Sequence, residues 1–215
     1  MNPSSSSVPL WPGVLAMALV VVASNIGVQF LVGTWLTWGA FTYPLAFVVT
    51  DVFNRVYGPQ AAQRVVLAGF VVGVLCSLVG SQVQGEFGPL VTLRIAVASG
   101  LAFLVAQLLD VAVFDRFREG RWWTAPLLST LIGSSLDTLI FFCVAFSTSF
   151  VFMEPGNDVS WANEMLPLLG WGPVAPLWVS LASADWLVKL TLALLALLPF
   201  RWLVARLQRL SPAPH

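Results

Sequence analysis

Charged side chains interrupt several long apolar stretches of this sequence, and their spacing places some of them on one face of a helix. Asp185 and Lys189 are four residues apart, and Thr130, Ser134 and Asp137 form a helical stripe. A charged group in hydrocarbon costs roughly 2.5–3.5 kcal/mol on insertion scales, so such groups usually face a bundle interior and act there. These residues are therefore the first candidates for function.

The polar residues within the stretches predict one shared polar cavity between helices, with Asp137 and the Asp185/Lys189 pair nearest the middle of the membrane and Asp51 and Asp110 toward the cytoplasm. Carboxylates accept hydrogen bonds and ammonium groups donate them, so the cavity could bind a polar small molecule or relay a proton. Asp137 has no cation within helical reach on its own stretch. It therefore needs a partner on another helix, a proton, water or a ligand. The Asp185/Lys189 pair has a simpler alternative, in which the two charges only neutralise each other.

Three further charged residues are candidates for gating or charge pairing. Asp51 and Asp110 lie toward the cytoplasmic ends of their stretches. In the simpler alternative their role is only structural: Asp51 pairs with Arg55, and Asp110 pairs with a neighbouring basic residue where its helix leaves the membrane. Arg94, near the outer end of its stretch, could reach the outer head groups or guard an entrance.

Six apolar stretches must position these groups, and each is long enough to cross a bilayer. Hydrophobic residues make up 58% of the 215 residues and charged residues only 9%, against about 25% in soluble domains. The stretches cover approximately residues 11–32, 38–56, 65–81, 93–114, 126–150 and 177–199. The sequence predicts an all-α integral membrane protein with six transmembrane helices. It divides into a flexible N-terminus (1–10), a six-helix domain (11–200) and a basic cytoplasmic tail (201–215).

Arginines alternate between connections and give the orientation. The basic segments follow the second, fourth and sixth stretches and carry Arg55, Arg64, Arg116, Arg118, Arg121, Arg201, Arg206 and Arg209. Basic segments stay on the cytoplasmic side, so both termini are predicted to be cytoplasmic.

Several classes of function lack a signal. The sequence has no Walker loop, no HExxH motif and no Gly-x-Ser-x-Gly motif, so nucleotide hydrolysis and these enzyme chemistries are disfavoured. Cys76 and Cys143 belong to no ligand cluster, so no metal site, disulfide or cofactor is expected. The net charge of zero offers no basic patch for nucleic acid. Pairs of small residues such as Gly69 and Gly73 suit close helix packing, within the bundle or in a homo-oligomer.

Two blocks of residues carry a family resemblance. One is Thr37-Trp-Gly-Ala-Phe-x-x-Pro44 followed by Thr50-Asp51, and the other is Arg121-Trp-Trp, Ser129-Thr-Leu and Asp137-Thr. With Asp185-Trp-Leu-Val-Lys189, they make the chain similar over nearly its whole length to the bacterial queuosine precursor transporters, also called the vitamin uptake transporter family.

The resemblance implies a multi-pass protein of the inner (cytoplasmic) membrane that imports the deazaguanine precursors of queuosine, in cyano (preQ0) and aminomethyl (preQ1) forms, for tRNA modification. Asp137 is the first candidate for the ring N–H and exocyclic amine, since one carboxylate can accept both hydrogen bonds. Other candidates are amides for the carbonyl and ring nitrogens, aromatic rings for the flat face, and a charged pair that sets the site's charge or relays a proton. The amide candidates are Asn25, Gln29 and Gln107, and the aromatic candidates are Trp186, Phe141 and Phe47. The charged pair is Asp185 and Lys189. For Trp186, simple packing is the alternative.

Energy coupling stays open at this stage. The chain could act alone as a secondary transporter or facilitator, which the resemblance favours. It could instead be the substrate-binding membrane subunit of an energy-coupling-factor importer, with a separate ATPase module. A non-transporting membrane scaffold is the third alternative, and it leaves the intramembrane charges unexplained.

Overall fold

The computed structural model describes residues 9–85 and 88–210. Most of the predicted flexible N-terminus, Glu86 in an outer connection and residues 211–215 of the predicted tail therefore lie outside the described residues. The α-helices within the described ranges are α1 (Trp11–Gly27), α2 (Gly39–Thr42), α3 (Leu45–Tyr57), α4 (Pro59–Gln82), α5 (Leu93–Arg116), α6 (Thr124–Phe146) and α7 (Leu177–Leu210).

Short antiparallel hairpins and 3-10 turns join some of these helices. Strands β1 (Leu31–Val32) and β2 (Leu36–Thr37) pair, as do β3 (Gln84–Gly85) with β4 (Gly88–Pro89) and β5 (Met165–Pro167) with β6 (Val174–Pro176). The 3-10 turns cover Thr148–Met153, Trp161–Asn163 and Leu168–Gly170.

Four helices of the described chain are long and apolar enough to cross a membrane, namely α4, α5, α6 and α7. The shorter α1 is also apolar. Large hydrophobic side chains such as Leu78, Val79 and Leu198 are exposed on the outside of the bundle, where lipid rather than water suits them. The chain is thus a mainly helical, multi-pass membrane protein.

The first two predicted stretches are shorter or broken as helices. The prediction that the first runs to residue 32 is wrong, because α1 ends at Gly27 and β1 follows. A side chain at Gly27 would begin 2.9 Å from the backbone nitrogen of Gly39, so two glycines let α1 and α2 approach closely. The second stretch is interrupted between α2 and α3 at Pro44, which has no N–H to donate to the preceding turn.

The remaining boundaries also differ from the prediction. Gly58, with φ +89°, alone connects α3 to α4, so Arg64 lies inside α4 and not in a loop. Helix α6 ends at Phe146, and α7 continues through Pro199 to Leu210, which makes residues 201–210 of the predicted tail helical.

The core lies mainly where α1, α3, α4 and α5 meet, and α5 packs extensively along α6. Gly69 of α4 faces Met17 of α1 and Phe103 of α5, so this small residue serves packing within the bundle. A second apolar cluster joins Phe114 of α5 to Phe200 of α7 near the arginine-rich end.

Candidate functional site

An ionic cluster lies between α6 and α7, and its members are Tyr43, Asp137, Thr138, Asp185 and Lys189. The Lys189 ammonium donates to Asp137 Oδ2 at 2.7 Å and to Thr138 Oγ1 at 3.0 Å, and it lies 2.5 Å from Asp185 Oδ2. The Thr138 hydroxyl donates to Asp185 Oδ2 at 2.8 Å, and the Tyr43 hydroxyl donates to Asp137 Oδ1 at 2.7 Å. All three ammonium protons and both Asp137 oxygens thus have partners.

This ionic cluster is buried and carries two carboxylates for one ammonium. Asp137 and Lys189 are each 4% exposed, and the Asp185 side chain is somewhat more accessible at 14%. The Lys189 ammonium also lies 5.3 Å from the centre of the Tyr43 ring, within the range of a cation–π contact. The second carboxylate leaves the cluster suited to a further positive charge or proton.

Helical spacing and one proline build the cluster. Asp185 and Lys189 share one face of α7, as their four-residue spacing predicts. Asp137 of α6 forms an ion pair with Lys189 of α7, so it has the partner on another helix that the sequence predicted. Tyr43 was not among the predicted site residues. It precedes Pro44 at the break between α2 and α3, and the Tyr-Pro pair inside an apolar stretch is the signal that could have found it.

Trp186 lies beside the cluster and is fixed to α6. Its indole N–H donates to Ser135 Oγ at 2.9 Å, and the Ser135 hydroxyl donates to Leu131 O at 2.7 Å. The Trp186 ring is therefore held in place by α6, as the packing alternative expects. Trp186 also directly follows Asp185 in α7.

A second polar group, the carboxyl pair, consists of Asp51 and Asp110 with Ser129 and Thr130. The hydroxyls of Ser129 and Thr130 donate to the two oxygens of Asp51 at 3.0 and 3.3 Å. Asp110 is fully buried, faces Asp51, and receives no hydrogen bond from the described residues.

The predicted pairing of Asp51 with Arg55 is wrong, because the Asp51 oxygens accept from the hydroxyls of α6 instead. The Arg55 guanidinium donates to Arg118 O at 2.7 Å and lies 5.1 Å from the centre of the Phe114 ring. The predicted pairing of Asp110 with a basic residue at the exit is likewise wrong.

Phe47 separates the carboxyl pair from the ionic cluster. Its ring stands edge-on to Tyr43, with centroids 6.1 Å apart, and its other side reaches Gly133. A Cβ at Gly133 would begin 2.9 Å from Phe47 and 3.2 Å from the Asp110 Cβ. The prediction of one cavity shared by all the carboxylates is therefore corrected to two polar groups on either side of a phenylalanine.

The other predicted ligand residues are not brought to the ionic cluster. The Asn25 amide donates to Val21 O of its own helix at 2.8 Å, and Gln29 is exposed beyond the end of α1. Phe141 packs in an aromatic cluster toward the other end of α6. Gln107 accepts from Thr50 Oγ1 at 2.6 Å, on the side of the carboxyl pair.

Arg94 caps the end of α6 instead of reaching the head groups, so that prediction is wrong. The side chain is completely buried, and its Nε donates to Val144 O at 2.7 Å while Nη2 donates to Ser147 O. Its backbone N–H donates to Glu154 Oε2 at 3.0 Å. A cation that binds the last carbonyls of a helix stabilises that end, so Arg94 ties α5, α6 and the following loop together.

A crevice of about 220 Å³ opens between α3, α6 and α7, beside the carboxyl pair. Its lining is apolar except for Asp51 and Thr130. A second void of about 170 Å³ lies farther toward the arginine-rich end and is lined by Arg55 and Arg201. Phe200 borders both voids.

Comparisons with known proteins place the chain among membrane transporters. Residues 37–204 match the family model described as "Putative vitamin uptake transporter". The chain is 36% identical over 196 residues to the "Queuosine precursor transporter" of Escherichia coli, an alignment that covers 84% of this chain and 79% of the relative.

Two further relatives align over shorter segments. The chain is 37% identical over 140 residues to a "Probable queuosine precursor transporter" of Haemophilus influenzae, which covers 59% of this chain and 57% of the relative. A protein of the same printed description from Bacillus subtilis is 33% identical over 136 residues, with 54% and 58% covered. No solved structure matches the chain. The chain belongs to the vitamin uptake transporter family, together with these queuosine precursor transporters.

Proposed function

We propose that this protein imports queuosine precursors, the cyano and aminomethyl deazaguanines, across the bacterial inner membrane for tRNA modification, and that it is a transporter and not an enzyme. The alignment with the E. coli queuosine precursor transporter supports the substrate, since it covers most of both chains. The buried ionic cluster is the observation that supports a binding role. Charged side chains such as Lys189 are energetically costly inside a membrane protein, and they are usually found where they bind a solute or an ion.

Asp137 is the proposed acceptor for the donor edge of the deazaguanine, where a ring N–H and an amine lie side by side. Both Asp137 oxygens already accept hydrogen bonds, from Tyr43 and Lys189. Each carboxylate oxygen has a second lone pair, so the substrate N–H groups bind beside these donors or exchange with one of them. The exchange keeps every buried donor and acceptor paired only if the released partner moves to Asp185 or to the substrate carbonyl.

The aromatic residues around the ionic cluster provide the flat wall that a fused-ring base needs. Tyr43, Phe47 and Trp186 lie beside Asp137 or Asp185. Asn25, Gln29 and Phe141 are left out of this proposed site because they lie away from the cluster. Gln107 stays as a residue that joins α3 to α5 near the carboxyl pair.

We also propose six membrane crossings with both termini in the cytoplasm. Helices α2 and α3 count as one crossing, kinked at Pro44, and α1 as another. Contacts between the basic segments support this orientation: Arg55 donates to Arg118 O, and Arg201 lies over the ring of Trp122, which follows Arg121 in the sequence. The arginines that follow alternate crossings thus gather at one end of the bundle, as the positive-inside rule requires.

The test is queuosine formation in a strain that lacks both queuosine synthesis and its own precursor transporter. The wild-type chain should restore queuosine to tRNA when either precursor is fed at low concentration. Asp137→Asn should reduce it at equal membrane abundance, because the amide has only one acceptor oxygen to offer the two substrate donors. Asp158→Asn, on the exposed loop after α6, is the matched control. Failure of the wild-type chain to restore queuosine would refute the substrate, and normal import by Asp137→Asn would refute its role.

A further inference from the structure

We propose that the carboxyl pair formed by Asp51 and Asp110 is a proton-binding site, and that its proton drives substrate uptake. The inference rests on the proposed transport function and concerns its energy source. It predicts symport, in which one proton enters with each substrate molecule and is released on the cytoplasmic side.

The carboxyl pair has fewer hydrogen-bond donors around it than acceptor oxygens. Two carboxylates present four oxygens. The neighbouring hydroxyls of Ser129 and Thr130 donate to the two oxygens of Asp51, and the Ser129 hydroxyl also lies 3.4 Å from Pro126 O. Both oxygens of Asp110 lack a partner among the described residues, although the side chain is 0% exposed. A proton held between the two facing carboxyl groups supplies the missing donor. Two adjacent carboxylates also resist being charged together, so a shared proton is the expected state.

Among the described residues, neither Asp51 nor Asp110 forms a salt bridge with a cation. Arg55, the nearest cation on α3, is directed to Arg118 O and the Phe114 ring. Arg64 on α4 is exposed to the outside. Helix α6 contributes hydroxyls, and α7 presents apolar residues to the crevice beside Asp51. The ionic cluster holds Lys189 against its two carboxylates, whereas the carboxyl pair must be neutralised by something mobile.

The carboxyl pair can be reached from the arginine-rich end of the bundle, which is the proposed cytoplasmic end. The crevice of about 220 Å³ reaches Asp51 and Thr130. The void of about 170 Å³ continues toward Arg55 and Arg201, and Phe200 lies between the two. A small movement of the Phe200 ring therefore connects the carboxyl pair with the basic surface, through which a proton can leave.

The position of the carboxyl pair allows its protonation to affect the proposed substrate site. Helix α6 carries both Ser129 and Asp137. Phe47 lies close to both groups: its ring stands edge-on to Tyr43 of the ionic cluster, and it approaches Gly133, which is next to Asp110 of the carboxyl pair. Loss of the proton would place unbalanced charge next to Phe47 and favour a rearrangement of this shared wall.

The experiment uses the purified full chain in liposomes with radiolabelled 7-aminomethyl-7-deazaguanine. Gradient-driven accumulation is compared with counterflow, which exchanges labelled for unlabelled substrate without any gradient. For one proton per molecule, an inward pH difference of about two units supports up to about 100-fold accumulation, because each unit is a factor of ten. We expect Asp110→Asn to lose this accumulation and to keep counterflow within about twofold of wild type. Asp115→Asn, an exposed carboxylate on the same helix, should accumulate like wild type.

The outcomes separate this inference from the proposed function. Absence of any wild-type transport refutes the proposed function, and the inference falls with it. Wild-type transport that ignores the pH gradient, or that follows a sodium gradient, refutes the proton site alone. Loss of counterflow in a folded Asp110→Asn variant also refutes it, since the pair would then serve substrate binding or structure.

A second measurement covers the case in which Asp110→Asn does not fold. Substrate added outside wild-type liposomes should make the external medium more alkaline as protons enter with it. Substrate entry without this pH change would refute the proposal, whatever the variants do.

Discussion

Replacement of Lys189 by methionine should destabilise the protein far more than replacement of either carboxylate that it contacts. Lys189 is the only lysine in the chain, and its ammonium lies 2.7 Å from Asp137 Oδ2 and 2.5 Å from Asp185 Oδ2. Lys189→Met keeps the length of the side chain but leaves two carboxylates in the interior without a cation. Asp185→Asn still leaves one carboxylate for the one ammonium.

The magnitudes follow from this imbalance. Unit charges about 4 Å apart attract by about 4 kcal/mol at an effective dielectric constant of about 20. Removal of one partner of a buried pair typically costs about 3–5 kcal/mol, because the other charge is left uncompensated. We expect a loss in this range for Lys189→Met. For Asp185→Asn we expect a loss of about 1 kcal/mol, the net value of an ordinary hydrogen bond.

The assay is reversible unfolding of the purified protein in mixed micelles, with the free energy of unfolding obtained from titration with a denaturing detergent. The triple variant Asp137→Asn/Asp185→Asn/Lys189→Met separates charge from shape, since it removes all three charges and keeps similar volumes. It should recover most of the stability that Lys189→Met loses. Equal stabilities for Lys189→Met and Asp185→Asn, or a triple variant as unstable as Lys189→Met, would refute the electrostatic reasoning.

Three further substitutions test other parts of the bundle. Arg94→Gln should cost about 1.5–3 kcal/mol in thermal or detergent unfolding, the range for hydrogen bonds to a charged group, whereas exposed Arg121→Gln should cost nearly nothing. Trp186→Phe removes the indole donor and should cost about 1 kcal/mol; unchanged stability would show that its hydrogen bond contributes nothing. Gly133→Val forces a Cβ against Phe47 and should cost about 1–3 kcal/mol by overpacking, with queuosine formation reduced at equal abundance; an unaffected variant would contradict the close contact.

Local spacing made part of the ionic cluster predictable from the sequence. The four-residue interval between Asp185 and Lys189 determines that they share a helix face, whatever the tertiary packing. The need of Asp137 for a partner elsewhere also followed, because its own helix offers no cation. The identity of that partner did not follow, since it depends on how α6 and α7 are placed against each other.

Tertiary geometry decided the residues that sequence reasoning misplaced. Asp51 and Arg55 have suitable spacing for an ion pair, yet α6 packs against α3 and offers two hydroxyls to Asp51 instead. Arg94 near a helix end resembles a residue that reaches the head groups, but the α6 carbonyls end within its reach. Apolar composition identified where the helices are and could not show that Pro44 breaks one of them, or that Gly27 allows a hairpin to follow α1.

Prolines are concentrated around the crevice beside the carboxyl pair, and this bears on how the two polar groups work together. Pro44, Pro126 and Pro199 all line it, one from each of the three chain segments that form its walls. Pro199 lies inside α7, where it removes a backbone hydrogen bond, and Pro44 lies at the break between α2 and α3. Pro126 lies in the first turn of α6, where no intrahelical hydrogen bond is lost. The long contact between α5 and α6 and the buried Arg94 brace the other side of the bundle. Pro44 and Pro199 are therefore the positions at which we expect α3 and α7 to bend beside Asp51, so a change in charge at the carboxyl pair acts on helices that can respond to it.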